Sequence, residues 1–183
     1  MPDSPNMSDI PDTPDATTTG PLAASERAAI DGLLRWQLGR RMTICLLSLT
    51  DAPPDDSMAA LANRLASSDE VHVLPRAEVT DTGLAEAVRH DAEIVLVWLA
   101  KNDERELASA SALLERIDAM GLRDRSVVAL TGPAVTRDLA HQLRFEEGYP
   151  SDTPTAQLLW SLAREAIARD ELRRRGSSPP CYL

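Results

Sequence analysis

The chain has 183 residues, a net charge of −10 and 26% charged residues, a length that allows one compact domain with tails and disfavours two. That charge argues against a duplex-binding protein, whose affinity rests on Lys and Arg neutralising phosphates, so no nucleic acid is expected and basic partners or small molecules fit better. No run approaches the ~18 apolar residues of a membrane span, and the N-terminal stretch MPDSPNMSDIPDTPDATTTG has no basic and apolar leader pattern, so a membrane protein or a secreted one is disfavoured.

Residues 1 to about 24 hold five prolines and four aspartates with no basic or aromatic residue, a composition that cannot bury enough apolar surface to offset ordering and that reads as a disordered acidic tail. Ser25 is placed to cap a first helix, in which Ile30, Leu33, Leu34 and Leu38 recur at helical spacing up to Arg40 and Arg41. The run MTICLLSLT from Met42 is continuously apolar, as in a strand covered on both faces. Then follow a helix SMAALANRLA, a short strand VHVLP, a helix TGLAEAVRH, a second long strand AEIVLVWLA and a helix ERELASASALLERIDAM closing on Gly121. A strand SVVAL leads to Thr131-Gly132-Pro133, then a helix TRDLAHQLR, a short connection through Phe145 and Tyr149, and a long amphipathic helix from about Thr153 to Arg174. GSSPPCYL, from Gly176, reads as a flexible end. Strand and helix alternate about five times, which predicts an α/β fold with a doubly wound, Rossmann-like parallel sheet of about five strands over residues 42 to 175. Ligands of such sheets bind at the carboxyl ends of the strands, so the loops to read are 51 to 57, 75 to 82, 99 to 104, 131 to 136 and 148 to 154.

Several chemistries lose their support at once. The glycines stand singly, so neither GxGxxG nor GxxxxGK[ST] occurs, and no serine lies in a GxSxG elbow. Cys45 lies inside an apolar run and Cys181 near the end of the sequence, which builds neither a disulfide framework nor a CxxC site and makes a reducing, cytoplasmic setting the default. His72, His90 and His141 lack metal-ligand spacing and read as a strand residue near the surface and two solvated helix residues. Asp51, Asp55 and Asp56 could hold a hard cation, but capping of the turn and of the following helix explains them with less. Lys101 is the only lysine, so a Schiff-base mechanism would use it or borrow a lysine from another chain.

The segment LLERIDAMGLRDRSVVALTGPAVTRDLAHQLRFEEGY, Leu113 to Tyr149, resembles the final third of the cobalamin-binding domain in the β subunit of lysine 5,6-aminomutase and its ornithine relatives. GLRD, TGP and TRDLA at their spacing carry the resemblance, and Leu49-Thr50-Asp51-Ala52 falls where the family has Gly-Thr-Asp-Ala-His. The resemblance covers about residues 42 to 170 and implies cobalamin-type loops at Asp51, Thr131, Gly132 and Gly148. The family's cobalt-ligating histidine is missing, since Pro53 holds its place, Asp56 holds that of the motif's glycine, and residues 42 to 71 contain no histidine at all. Where the family has a serine beside the nucleotide tail, this chain has Trp98 or Leu99, and Gly148-Tyr149-Pro150-Ser151-Asp152 replaces a run of small residues. Trp98 plugs the tail pocket or, preferably, is a core tryptophan capping the sheet edge. The region that would carry pyridoxal phosphate has no counterpart in the sequence, so none is expected, and Lys101 resembles a family lysine outside the Schiff-base site.

Two readings follow. In the first, the protein is a non-catalytic accessory or regulatory subunit that has lost base-off cobalamin binding and takes no cofactor. In the second, it is a corrinoid-binding subunit of an adenosylcobalamin-dependent aminomutase, an isomerase, holding cobalamin base-on or through a partner's ligand. No catalytic residue or metal ligand is assigned in either. The first and last helices carry more apolar positions than one core-facing stripe needs, and Trp36 and Trp160 are the candidate interface residues, for self-association or an aminomutase-type partner. For Trp36 the competing reading is a core residue covering the sheet.

Overall fold

The computed structural model describes residues 19–49, 56–77 and 80–176. The elements run α1 (Ala24–Gln37), β1 (Met42–Ser48), α2 (Asp56–Leu65), β2 (Val71–Ala77), α3 (Thr80–Arg89), β3 (Ile94–Trp98), α4 (Glu104–Ala119), β4 (Val127–Gly132), α5 (Arg137–Gln142), β5 (Glu147–Pro150) and α6 (Thr155–Gly176). All strands are parallel, in the order β2-β1-β3-β4-β5. This is the doubly wound sheet expected from the alternation, with its order reversing between β1 and β3.

The central strands are apolar throughout because both faces are covered. Ile44 and Leu46 of β1, Ile94, Leu96 and Trp98 of β3 and Val127 and Ala129 of β4 join one core with α1, α2 and α6. Cys45, Leu47, Val95, Val97, Val128 and Leu130 point the other way, toward α3, α4 and α5. The period of two along each strand thus assigns every residue to a layer.

Three departures from the sequence expectations are structural findings. The connection through Phe145 and Tyr149 contains the fifth strand, which pairs Glu147 to Ala129 and Pro150 to Gly132. It is an edge strand four residues long, the position in a sheet where a Gly and a Pro are tolerated. The first helix begins at Ala24, one residue before Ser25, and the Glu26 carboxylate accepts the Ala23 N–H at 3.0 Å. Finally, the expected acidic tail lies outside the described residues only as far as residue 18. Leu22 is buried, and the Gly20 carbonyl accepts the Thr155 hydroxyl at 2.6 Å.

Beneath the sheet, at the amino ends of its strands, Glu93 is buried and bidentate. Its Oε1 accepts from Arg40 Nε at 2.9 Å and its Oε2 from the Thr43 N–H at 2.7 Å. Arg40 also reaches Asp170 of α6 at 3.3 Å. Burial draws the Arg40 guanidinium down, but Glu93 and Asp170 together carry it above its ordinary value. The knot pins the start of β1 to the end of α6, so α1 and α6 lie side by side on one face.

Candidate functional site

The switch between β1 and β3 directs attention to the carboxyl ends of the strands. There Ser48, Trp98, Thr131 and Tyr149 stand in register across β1, β3, β4 and β5. Trp98 is 3% exposed. It is the core tryptophan expected from the sequence, and it caps the carboxyl end of β3, the central strand, not an edge strand. Thr131 is buried and its hydroxyl donates to the Tyr149 carbonyl at 2.9 Å. The Tyr149 hydroxyl lies 2.8 Å from the Ser161 hydroxyl, and burial pushes its pKa up to about 12, the Ser161 contact offsetting part of the rise.

The two glycines singled out as cofactor loops have demands inside the chain. Gly132 has φ +152°, and a Cβ there would stand 1.9 Å from the Leu99 carbonyl oxygen. Leu99 meanwhile donates its N–H to the Thr131 carbonyl at 2.8 Å, so the chain leaving β3 runs directly against the end of β4. At Gly148 a Cβ would lie 2.6 Å from the Ala140 Cβ and 2.8 Å from the Thr136 carbonyl oxygen. This glycine lets α5 settle onto β5.

Arg64, near the end of α2, was not singled out by any sequence pattern. Its Nη1 donates to the Ser151 carbonyl at 2.9 Å, its Nε to the Thr155 hydroxyl at 2.9 Å, and its Nη2 to the Thr153 carbonyl. Burial lowers the pKa of this guanidinium, partly offset by Asp152. The side chain therefore clamps the β5–α6 turn. A cavity of about 350 Å³ lies beside it, lined by Thr19, Ser57, Leu61, Arg64, Trp98 and Asp152.

Asp51, Pro53 and Asp55 lie outside the described residues. Asp56 begins α2 and is exposed. Lys101 is exposed, and its backbone N–H donates to Glu106 at 2.7 Å. His72 and His141 are exposed, and His90, just past the end of α3, lies 3.1 Å from Glu86 of that helix. Among the described residues no three His, Cys, Asp or Glu side chains are placed to hold a metal ion, and no helix is long and apolar enough to cross a membrane. Burial raises the Cys45 thiol to about 12, which keeps it protonated and unreactive. Of the two candidate interface residues, Trp36 is 83% exposed and Trp160 36% exposed, so the reading of Trp36 as core is overturned.

No family model and no curated protein matches the sequence. The fold, in contrast, has solved counterparts. The chain is similar to a cobalamin-binding protein from Desulfitobacterium hafniense with a TM-score of 0.58 at 15% identity, over 76% of this chain and 67% of that one. It is similar to a monomethylamine corrinoid protein from Methanosarcina barkeri with a TM-score of 0.52 at 14% identity, over 77% of this chain and 64% of that one. A signal receiver domain from Vibrio parahaemolyticus also matches, with a TM-score of 0.54 at 17% identity, over 76% of this chain and 99% of that one. Identities this low show the fold alone: a five-stranded parallel α/β domain of the kind found in cobalamin-binding proteins, shared with at least one protein that is described differently.

Proposed function

We propose that the protein is a relative of the aminomutase β-subunit cobalamin domains that serves as a non-catalytic accessory or regulatory subunit and does not hold cobalamin base-off. The observation that carries this reading is the contact between Gly132 and Leu99. A glycine kept so that backbone could approach a ligand closely is here closed over by the chain's own carbonyl. Gly148 is likewise committed to Ala140 and Thr136, and Trp98 is buried at the carboxyl end of β3. These residues do not fit a base-off corrinoid. The sequence agrees, because residues 42 to 71 offer no histidine to the cobalt.

The test is incubation with hydroxocobalamin and with adenosylcobalamin, followed by desalting and absorption spectroscopy. The expected protein fraction is colourless. A stoichiometric base-off spectrum retained through the column would overturn the reading, and a retained base-on spectrum would move it to the alternative of a corrinoid-binding aminomutase subunit. The accessory role is checked separately, by asking whether the purified protein co-sediments with an aminomutase-type subunit pair.

A further inference from the structure

Of the exposed large apolar side chains among the described residues, Trp36 on α1 and Leu172 on α6 are the most exposed, at 83% and 64%. The two helices are parallel neighbours, and a hydrogen bond at each end gives their approximate alignment. The Gly20 carbonyl accepts from Thr155 and the Leu38 carbonyl from Arg174, at sequence offsets of 135 and 136. At that offset Trp36 is level with Leu172, and Gly32 is level with Ile167 and Ala168. Between the helices lies a groove of about 360 Å³, lined by Leu33, Gln37, Arg164, Ile167, Ala168 and Glu171.

The outer face of α1 is unusual for a chain of net charge −10. The exposed stripe Ser25, Ala28, Ala29, Gly32 and Trp36 carries no ionisable group, and exposed Arg35 flanks it. Arg35 is turned aside to Glu70 at 2.7 Å. The α1 stripe is uncharged and the α6 side carries both signs, Arg164 beside Glu165 and Glu171, so the face has no one-signed patch for a strongly basic or acidic partner. It is instead the surface on which two copies of an acidic chain meet with least repulsion.

We infer that this face is the interface of a two-fold homodimer in which α1 packs antiparallel on α1 and α6 on α6. The axis crosses both helices at the level of Gly32 and of Ile167 and Ala168. A rotation there places Trp36 of one copy, four residues beyond the axis, over Ala28 of the other, four residues before it. The small side chains Ala28, Ala29 and Gly32 leave room for the indole and for close approach of the backbones. The same rotation sets Arg164 of one copy opposite Glu171 of the other, twice. Glu171 has otherwise only a 3.9 Å contact to Arg175. The knob, the receiving surface and both charges of the pair thus lie on one face, as an isologous contact requires.

Sedimentation of the full chain over a range of concentrations is the test. The wild type is expected to be a dimer at micromolar concentration. A Cβ on Gly32 has nothing within 4 Å, so Gly32→Arg leaves the fold intact while setting two like charges against each other at the axis. It is expected to sediment as a folded monomer, and Trp36→Ala to weaken the dimer at least about thirtyfold. Arg164→Glu and Glu171→Arg should each weaken the dimer, and the double exchange should restore it. A wild type that stays monomeric at high concentration, a dimer indifferent to Gly32→Arg, or failure of the charge exchange to restore association would overturn the inference.

Discussion

The Leu99 carbonyl oxygen stands where the side chain of any other residue at position 132 would begin, 1.9 Å from an ideal Cβ on Gly132. Backbone on both sides cannot yield as a flexible side chain would. Gly132→Ala is therefore expected to destabilise by about 3 kcal/mol, combining a left-handed φ with a clash against main chain. Gly32→Ala, with nothing within 4 Å of its Cβ in the single chain, should instead stabilise by about 0.5–1 kcal/mol at concentrations where the chain is monomeric. Thermal denaturation of the two variants side by side checks both signs.

Truncation should divide sharply within a few residues. Deleting residues 1–18 is expected to leave the melting temperature nearly unchanged. Deleting 1–23 removes buried Leu22 and the Gly20 carbonyl that Thr155 uses, at a cost of about 2–3 kcal/mol. Calorimetry of the two forms would show whether the boundary falls there.

Arg64 predicts a local effect more than a global one. Replacing it with Met leaves the Ser151 and Thr153 carbonyls without their donor. A loss of about 2 kcal/mol is expected, with faster amide exchange concentrated in residues 151–155. Exchange that rises uniformly over the domain would show that the clamp is not local.

Tyr149 makes stability fall in alkali. Its folded pKa of about 12 lies above the ordinary value of 10.0, so between these the folded chain holds a proton the unfolded chain has lost. The contribution is complete below pH 10 and is lost as the pH rises toward 12, on the order of 2 kcal/mol in all. Tyr149→Phe should flatten that limb of the pH profile while also losing the Ser161 contact at every pH. Denaturant midpoints measured from pH 9 to 11.5 separate the two effects.

Charge at the base of the sheet supplies a further case. Glu93→Ala strips the Thr43 N–H and Arg40 of their shared acceptor and is expected to cost about 2–4 kcal/mol. Glu93→Gln keeps one acceptor and the shape, so it should cost clearly less in equilibrium unfolding.

The long elements were legible because their patterns are local. MTICLLSLT reads as a strand covered on both faces and AEIVLVWLA as a second long strand, and they hold β1 and β3. EGYP was not legible, since an edge strand of four residues with Gly and Pro has the composition of a turn and is made a strand only by β4 beside it. The site divides the same way. The glycines at 132 and 148 announced that something approaches closely, but sequence cannot say what. The approaching groups, the Leu99 carbonyl and Ala140, are neighbours only in space. Arg64 gave no signal because its three acceptors lie 87 to 91 residues away. Trp36 was the opposite case: a surplus of apolar positions on one helix already implied that some would face outward.

The pairing of α1 with α6 also sets the order in which the chain can mature on a ribosome. Helix α1 is made about 135 residues before its partner α6, and at ~5–20 residues per second that is a wait of roughly 7–27 s. During that interval Ile30 and Leu34, both fully buried in the finished fold, have no α6 to cover them. The nascent chain thus displays α1 as a sticky segment until α6 has emerged, which makes that helix the natural early target for a chaperone.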